Sequence, residues 1–93
     1  MSFSETRLPK TVPEAVDQML ADLSPEETEL IRKTEEEDLI GLHFGLGAGI
    51  RETFQLWQGN KDLLKSCGSE KMHPDDASMA IIKALWTRLQ ARH

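Results

Sequence analysis

The chain has 93 residues, of which 39% are hydrophobic and 29% are charged, a balance typical of a single globular domain. No apolar run is long enough to span a bilayer, and no basic segment followed by an apolar stretch opens the chain, so we expect neither a membrane anchor nor a signal peptide. Cys67 is the only cysteine, which excludes an internal disulfide bond and fits a reducing compartment. The expected location is therefore the cytoplasm, without a membrane partner.

The net charge of −5 is distributed unevenly along the chain. Residues 1–40 contain eleven acidic and four basic side chains, a balance of −7, whereas residues 41–93 contain five acidic and seven basic ones, a balance of +2. Binding to a nucleic-acid backbone requires clustered lysine and arginine, which neither half provides. The charge pattern argues against a nucleic-acid partner and favours a basic protein, because acidic surfaces attract basic partners.

Two capping signals predict the first two helices. In the segments 11–14 and 24–27, Thr11 and Ser24 are each followed three positions later by a glutamate, with proline in the first turn. Residues 1–10 lack helical periodicity and predict a loose N-terminal arm before a single helical domain at residues 11–93. The residues predicted to face the core are Val12, Ala15, Val16, Met19, Leu20 and Leu23 in the first helix, and Leu30 and Ile31 in the second.

A third capping box, at residues 34–37, predicts that the longest helix runs from about residue 35 to residue 57. The acidic run 35–38 complements the positive end of a helix dipole, and a cation site is the alternative interpretation. At 100° per residue, Ile40 and Phe44 fall on a flank of this helix. Its main face carries mostly apolar side chains, at Leu39, Leu42, His43, Leu46, Ile50, Thr53, Phe54 and Trp57. A helix this apolar is expected at the centre of the domain.

Gly41, Gly45 and Gly49 form a stripe along this predicted helix. Each glycine costs up to about 1 kcal/mol relative to alanine, so we expect another backbone to approach the stripe closely. That backbone belongs either to another helix of the chain or to a second copy, which would make a homo-oligomer. In either case the Gly45→Leu variant should be destabilised. Because these glycines lie inside a helical pattern with no preceding strand, they do not predict a phosphate-binding loop.

The rest of the chain predicts two further helices. Gly59 marks the end of the long helix, Asn60 caps a short helix at residues 61–67, and Gly68 ends it. Pro74 begins the last helix, whose inward face is formed by Ala77 or Ser78 together with Ile81, Ile82, Leu85 and Leu89. No segment alternates with period two. The sequence therefore predicts an all-α, single-domain bundle of about five helices around the glycine-striped one.

His43 is the main candidate for a site residue, because an imidazole on an apolar helix face needs a polar partner. One interpretation is a buried structural histidine. The other is a pocket in which His43 faces a ligand, with Arg51 along the same helix edge and Asn60, Asp75 and Asp76 nearby. No metal or cofactor is predicted, since no His-x-x-x-His or Cys-x-x-Cys spacing occurs.

Three further side chains are candidate functional residues. Cys67 precedes a helix-ending glycine and has no paired base, so we expect it to pack as a small apolar residue rather than act as a nucleophile. Trp57 and Trp86 are expected in the core, and either of them would anchor a partner if it were exposed.

Residues 39–89 resemble a family of small bacterial proteins catalogued as a domain of unknown function. The resemblance is carried by His43-Phe44-Gly45-Leu46-Gly47, Ile50-Arg51, Leu56-Trp57, Gly59-Asn60, Cys67-Gly68, His73-Pro74-Asp75-Asp76-Ala77-Ser78 and Leu85-Trp86. The segments 9–11 and 15–16 are also similar. The resemblance implies no activity, but it suggests that His43, Arg51, Asn60 and Asp76 belong to one unit.

Two functions follow as hypotheses. The first is a non-enzymatic protein-interaction module, for instance an immunity or regulatory protein, because the chain is small and acidic and has no nucleophile–base pair. Trp57 would belong to its binding residues. The alternative is a small-ligand or catalytic pocket built on His43 and Arg51.

Overall fold

The computed structural model describes residues 8–91, which form five α-helices and contain no strand. The α-helices are α1 (Val12–Asp22), α2 (Pro25–Lys33), α3 (Ala48–Thr53), α4 (Lys61–Cys67) and α5 (Pro74–Ala91). A 3₁₀-helix (Glu36–Leu42) and a π-helix (His43–Gly47) lead directly into α3. The predicted all-α, single-domain fold is confirmed. Of the predicted N-terminal arm, residues 1–7 lie outside the described residues, and Pro9 is buried against the domain.

The centre of the domain is α5 rather than the predicted helix at residues 35–57. α5 contacts α1 to α4 as well as the 3₁₀- and π-helices. Its buried side chains are the predicted ones, Ala77, Ser78, Ile81, Ile82, Leu85 and Leu89. It is also the longest helix, with 18 residues, because residues 36–53 change their hydrogen-bonding pattern twice.

Side-chain caps set the starts of the first helices, as predicted. The Glu14 backbone N–H donates to the Thr11 hydroxyl at 3.2 Å, and Ser24 and Glu27 form a complete capping box. The backbone N–H of Ser24 lowers the pKa of the Glu27 carboxyl, as expected for a carboxylate that accepts this bond. Leu30 is the one wrong prediction among the side chains expected to face the core from α1 and α2. It is 60% exposed, whereas its neighbour Ile31 is buried as predicted.

The third predicted capping box is wrong. Thr34 is the C-cap of α2, and its hydroxyl donates to the Leu30 carbonyl at 2.8 Å. The following helix has Glu35 at its N-cap, without a side-chain capping bond, and it is of the 3₁₀ type. A 3₁₀-helix turns every three residues, so a wheel drawn at 100° per residue misplaces its side chains. Ile40 in this 3₁₀-helix and Phe44 in the π-helix that follows face solvent, at 64% and 85% exposure, because neither segment keeps the α-helical turn of 100° per residue.

Among the described residues, nothing covers Gly41 or Gly45, two of the three glycines of the predicted stripe. A Cβ atom built on Gly41 or Gly45 would meet nothing within 4 Å, so the prediction of a close intramolecular approach there is wrong. Within residues 36–53, Gly47 has a close neighbour, since its Cβ would lie 2.9 Å from Nη1 of Arg51. The predicted stripe requires a single α-helical register, whereas Gly41 lies in the 3₁₀-helix, Gly45 in the π-helix and Gly49 in α3.

α3 ends at Thr53, earlier than the helix end predicted from Gly59. The motif that ends it contains no glycine. Gln55 adopts a left-handed conformation with φ of 56°. The Leu56 N–H donates to the Arg51 carbonyl at 2.9 Å, and the Gln55 N–H donates to the Glu52 carbonyl at 3.2 Å. These two bonds define a Schellman motif. Because the chain reverses here, Trp57 leaves the helix and is 60% exposed, contrary to its predicted place in the core.

Replacing the left-handed residue tests this helix end. We expect Gln55→Gly to raise the free energy of unfolding by about 0.5–1 kcal/mol, because a left-handed side chain costs about 1–2 kcal/mol that glycine avoids, less the entropy of a freer unfolded chain. Urea unfolding measures the difference. The matched control is Gln58→Gly in the same turn, where φ is not positive, and no gain is expected. Equal changes in the free energy of unfolding for both variants would contradict the left-handed conformation of Gln55.

Candidate functional site

A cleft of about 610 Å³ opens between the π-helix, α3, the turn that follows α3, and the start of α5. It brings together four of the predicted site residues, His43, Arg51, Trp57 and Asp75. The remaining lining residues are Phe44, Ala48, Glu52 and Gln58. The site is therefore assembled from both sides of the Schellman turn.

Arg51 forms the floor of the cleft and is only 8% exposed. Its Nη1 donates to the Ser78 hydroxyl at 3.0 Å and lies 3.4 Å from Nδ1 of His43. Its Nη2 donates to the His43 carbonyl at 3.3 Å, and its Nε lies 3.4 Å from Oδ1 of Asp75. The guanidinium therefore ties the π-helix to the first turn of α5. We call His43, Arg51, Asp75 and Ser78 the Arg51 cluster.

Asp75 occupies the first turn of α5, where a carboxylate is favoured by the helix dipole. Its side chain is 43% exposed, and Oδ2 lies 4.0 Å from Nε2 of His43 and 3.9 Å from Nδ1 of His73. The Asp75 backbone N–H donates to that same His73 Nδ1 at 3.0 Å. Asp75 thus reaches solvent at the edge of the cleft while pairing with Arg51 at its floor.

The hydrogen bonds of the Arg51 cluster occupy the Arg51 guanidinium and the Ser78 hydroxyl. Each guanidinium nitrogen of Arg51 already faces a partner from the chain, so no free fork is presented to an anion. The Ser78 hydroxyl donates to the Asp75 carbonyl at 2.9 Å and is not paired with a base. Within residues 8–91, every buried polar side-chain atom has a partner. The cluster therefore holds the floor of the cleft in place.

Two aromatic side chains flank this polar floor and remain open to solvent. Phe44 is 85% exposed and its ring meets the His43 ring edge-to-face, with centroids 5.1 Å apart. The exposed Trp57 ring makes an edge-to-face contact with His73, with centroids 5.3 Å apart. The Glu52 carboxylate is also exposed and lines the cleft. We call Phe44, Glu52, Trp57 and Asp75, with the Arg51 floor, the aromatic cleft.

Two predicted site residues lie elsewhere. The Asn60 amide nitrogen donates to the carbonyls of Pro9 and Phe54, at 3.2 and 2.9 Å, and its oxygen caps α4. Asn60 therefore closes the loop between α3 and α4. Asp76 is exposed on a separate groove beside Glu36 and Lys83.

Local sequence signals for the remaining residues of the site are weak. The helical pattern places Phe44 on a helix flank and Ser78 on the inward face of the last helix, without a polar role for Ser78. Glu52 and His73 carried no periodicity or spacing that tied them to His43. Their proximity depends on the turn at Gln55, which no glycine marks.

Trp86 and Cys67 pack as expected. Trp86 is partly buried against the core, and its indole N–H donates to the Thr34 carbonyl at 2.7 Å. Cys67 packs against the core with its thiol 3.7 Å from the Ala77 carbonyl, and burial raises the pKa of this thiol to about 11. A thiol with so high a pKa is a poor nucleophile at neutral pH.

Alkylation of Cys67 by iodoacetamide tests its burial. A free cysteine has a pKa of about 8.5, so at pH 8 we expect the folded protein to react roughly a hundredfold more slowly than N-acetylcysteine. Because the raised pKa keeps the thiol protonated, the rate should still climb about tenfold per pH unit between pH 8 and 9.5. The urea-unfolded chain, as the control, should react like N-acetylcysteine. An alkylation rate that reaches a plateau near pH 8.5 in the folded protein would contradict a raised pKa for the Cys67 thiol.

Within residues 8–91, no group of three or more His, Cys, Asp or Glu side chains is arranged to hold a metal ion. In the same range, no helix is both long enough and apolar enough to cross a bilayer.

Comparison with known proteins defines the class of the chain. Residues 8–89 match the family model described as Domain of unknown function (DUF6794), so the chain belongs to that family. The match spans α1 to α4 and all but the last two residues of α5, and it includes the aromatic cleft. No curated protein and no solved structure matches the chain significantly.

Proposed function

We propose that this chain is a non-enzymatic protein-interaction module that docks a partner protein at the aromatic cleft. The observation that carries the proposal is the exposure of Phe44 and Trp57, at 85% and 60%, on a single cleft. Tryptophan and other large aromatic residues are enriched among the residues that dominate binding energy at protein interfaces.

The energetics support a docking role. Burying a large apolar side chain contributes about 1.5–3 kcal/mol, which the monomer does not gain from Phe44 or Trp57. The polar floor beneath them is already paired within the chain, so a partner can cover it without leaving new unpaired groups. A rigid, prearranged floor also reduces the ordering cost of binding.

The biological setting belongs to the same proposal. The motif resemblance is to small bacterial proteins, and the lone half-buried cysteine suits the cytoplasm. An immunity or regulatory protein in that compartment acts by covering a surface of its target, which requires a docking face and no catalytic groups.

Photo-crosslinking in the source cell tests the proposal. A benzoylphenylalanine placed at position 44 should crosslink one defined protein, whereas the same group at position 30 should not. Leu30 is the matched control because it is also an exposed apolar residue, but it lies on α2 away from the cleft. The captured protein should bind purified wild-type chain and Leu30→Ala alike, and lose affinity for Phe44→Ala. Identical capture at both positions, or none at position 44, would refute the proposal.

One observation supports the second candidate, a small-ligand or catalytic pocket, namely the convergence of His43, Arg51 and Asp75 in a cleft of ligand size. A metabolite screen by thermal shift separates the two candidates. A ligand at a hundred times its dissociation constant would add about 2.7 kcal/mol to stability, and Trp57→Ala should abolish that gain. A screen in which no compound stabilises the protein favours the interaction module.

A second copy of the chain is the remaining partner to consider, through Gly41, Gly45 and Gly49. The open space over Gly41 and Gly45 would admit a close backbone from another molecule. Sedimentation velocity over a wide concentration range tests this self-association. A single monomeric species throughout would exclude it.

A further inference from the structure

Resting on the proposed docking role, we infer that the aromatic cleft receives a basic side chain, lysine or arginine, from the partner protein. The cleft combines two exposed aromatic rings, Phe44 and Trp57, with two carboxylates, Glu52 and Asp75. An aromatic face attracts a cation through its quadrupole, and a carboxylate attracts it through charge.

The charges already present in the cleft select a cation over an anion. Arg51 is the one permanently charged base in the lining, and its nitrogens are turned toward His43, Asp75 and Ser78. Among the described residues, the Glu52 carboxylate has no ion-pair or hydrogen-bond partner, and it faces solvent. The unpaired charge at the mouth of the cleft is therefore negative.

The wider surface favours the same partner. The helical segment that carries Phe44 begins with the exposed carboxylates of Glu36, Glu37 and Asp38, and the chain has a net charge of −5. Such a field accelerates the approach of a basic partner and slows an acidic one. A second copy of this chain would bring the same negative charge, so it fits the cleft less well than a basic protein does.

Peptide binding to the purified full chain tests the inference. The probes are acetylated, amidated pentapeptides with four glycines around a central arginine, lysine, citrulline or glutamate. Binding is followed by NMR through the Trp57 indole N–H and the Phe44 and Ala48 amide signals. We expect saturable millimolar binding of the arginine and lysine peptides that weakens at high salt. Citrulline has nearly the shape of arginine without its charge, so that peptide should bind at least fivefold more weakly.

Variants locate the binding. Glu52→Gln should weaken the arginine peptide about threefold to fivefold, and Trp57→Leu about as much. The matched control is Glu26→Gln, which removes the same charge on α2, outside the cleft, and should change affinity little. Citrulline or glutamate peptides that bind as well as arginine, equal losses for Glu52→Gln and Glu26→Gln, or no shift at Trp57 with any peptide would each overturn the inference. The crosslinking result at position 44 is independent of these outcomes, so a docking role could survive their failure.

Discussion

Replacing Arg51 by methionine should destabilise the protein by about 2–3 kcal/mol, a large part of the roughly 5–10 kcal/mol expected for a chain of this size. The change removes the donors that face His43, Asp75 and Ser78, so polar groups near the floor of the cleft lose their partner. Breaking a fully buried pair costs about 3–5 kcal/mol. The expected cost is lower here because the Asp75 side chain is 43% exposed and regains some hydration.

Arg88→Met is the matched control for this substitution. Arg88 also pairs with a carboxylate, that of Asp17 at 3.0 Å, but both side chains of that pair are exposed. Exposed ion pairs contribute about 0–1 kcal/mol, so we expect Arg88→Met to lower the free energy of unfolding by less than about 1 kcal/mol. Urea unfolding of both variants gives the comparison. Arg51→Lys should recover little, because an ammonium cannot reproduce the planar fork. Similar losses for Arg51→Met and Arg88→Met would show that the cluster does not hold the π-helix to α5.

The second large effect is that alanine substitutions at two neighbouring glycines, Gly47 and Gly45, should change stability in opposite directions. Gly47→Ala should lower stability by about 1–3 kcal/mol, because its Cβ would lie 2.9 Å from Nη1 of Arg51, a nitrogen held by Ser78. Gly45→Ala should instead raise stability by about 0.5–1 kcal/mol, since its Cβ meets nothing within 4 Å and alanine reduces the entropy of the unfolded chain. This reverses the expectation drawn from the glycine stripe alone.

A double-mutant cycle shows whether the cost of Gly47→Ala arises from Arg51. In an Arg51→Met background the close contact is gone, so Gly47→Ala should become neutral or stabilising. Urea unfolding of the four proteins provides the coupling energy. Additive effects would place the strain elsewhere. If Gly45→Ala proved destabilising only at high protein concentration, the open glycines would be covered by a second copy instead.

Local chemistry determined the starts of α1, α2 and α4 and the core face of the last helix. Thr11, Ser24 and Asn60 cap the helices that the sequence assigned to them, because a capping side chain bonds to backbone only two or three residues away. The buried face of α5 followed from its regular 3.6-residue period, which holds over 18 residues. Such features depend on neighbours along the chain, so no knowledge of the fold was needed.

Tertiary structure decided the candidate site. His43, Arg51 and Asp75 were expected near one another, but the exposure of Phe44 and Trp57 was not. It depends on a change from 3₁₀ to π geometry and on the left-handed turn at Gln55, neither of which has a local sequence signal. The buried guanidinium of Arg51 shows the physical reason. Its contact with Ser78 joins residues 27 positions apart, so the register of the π-helix is linked to α5 by a bond that forms only when both are in place.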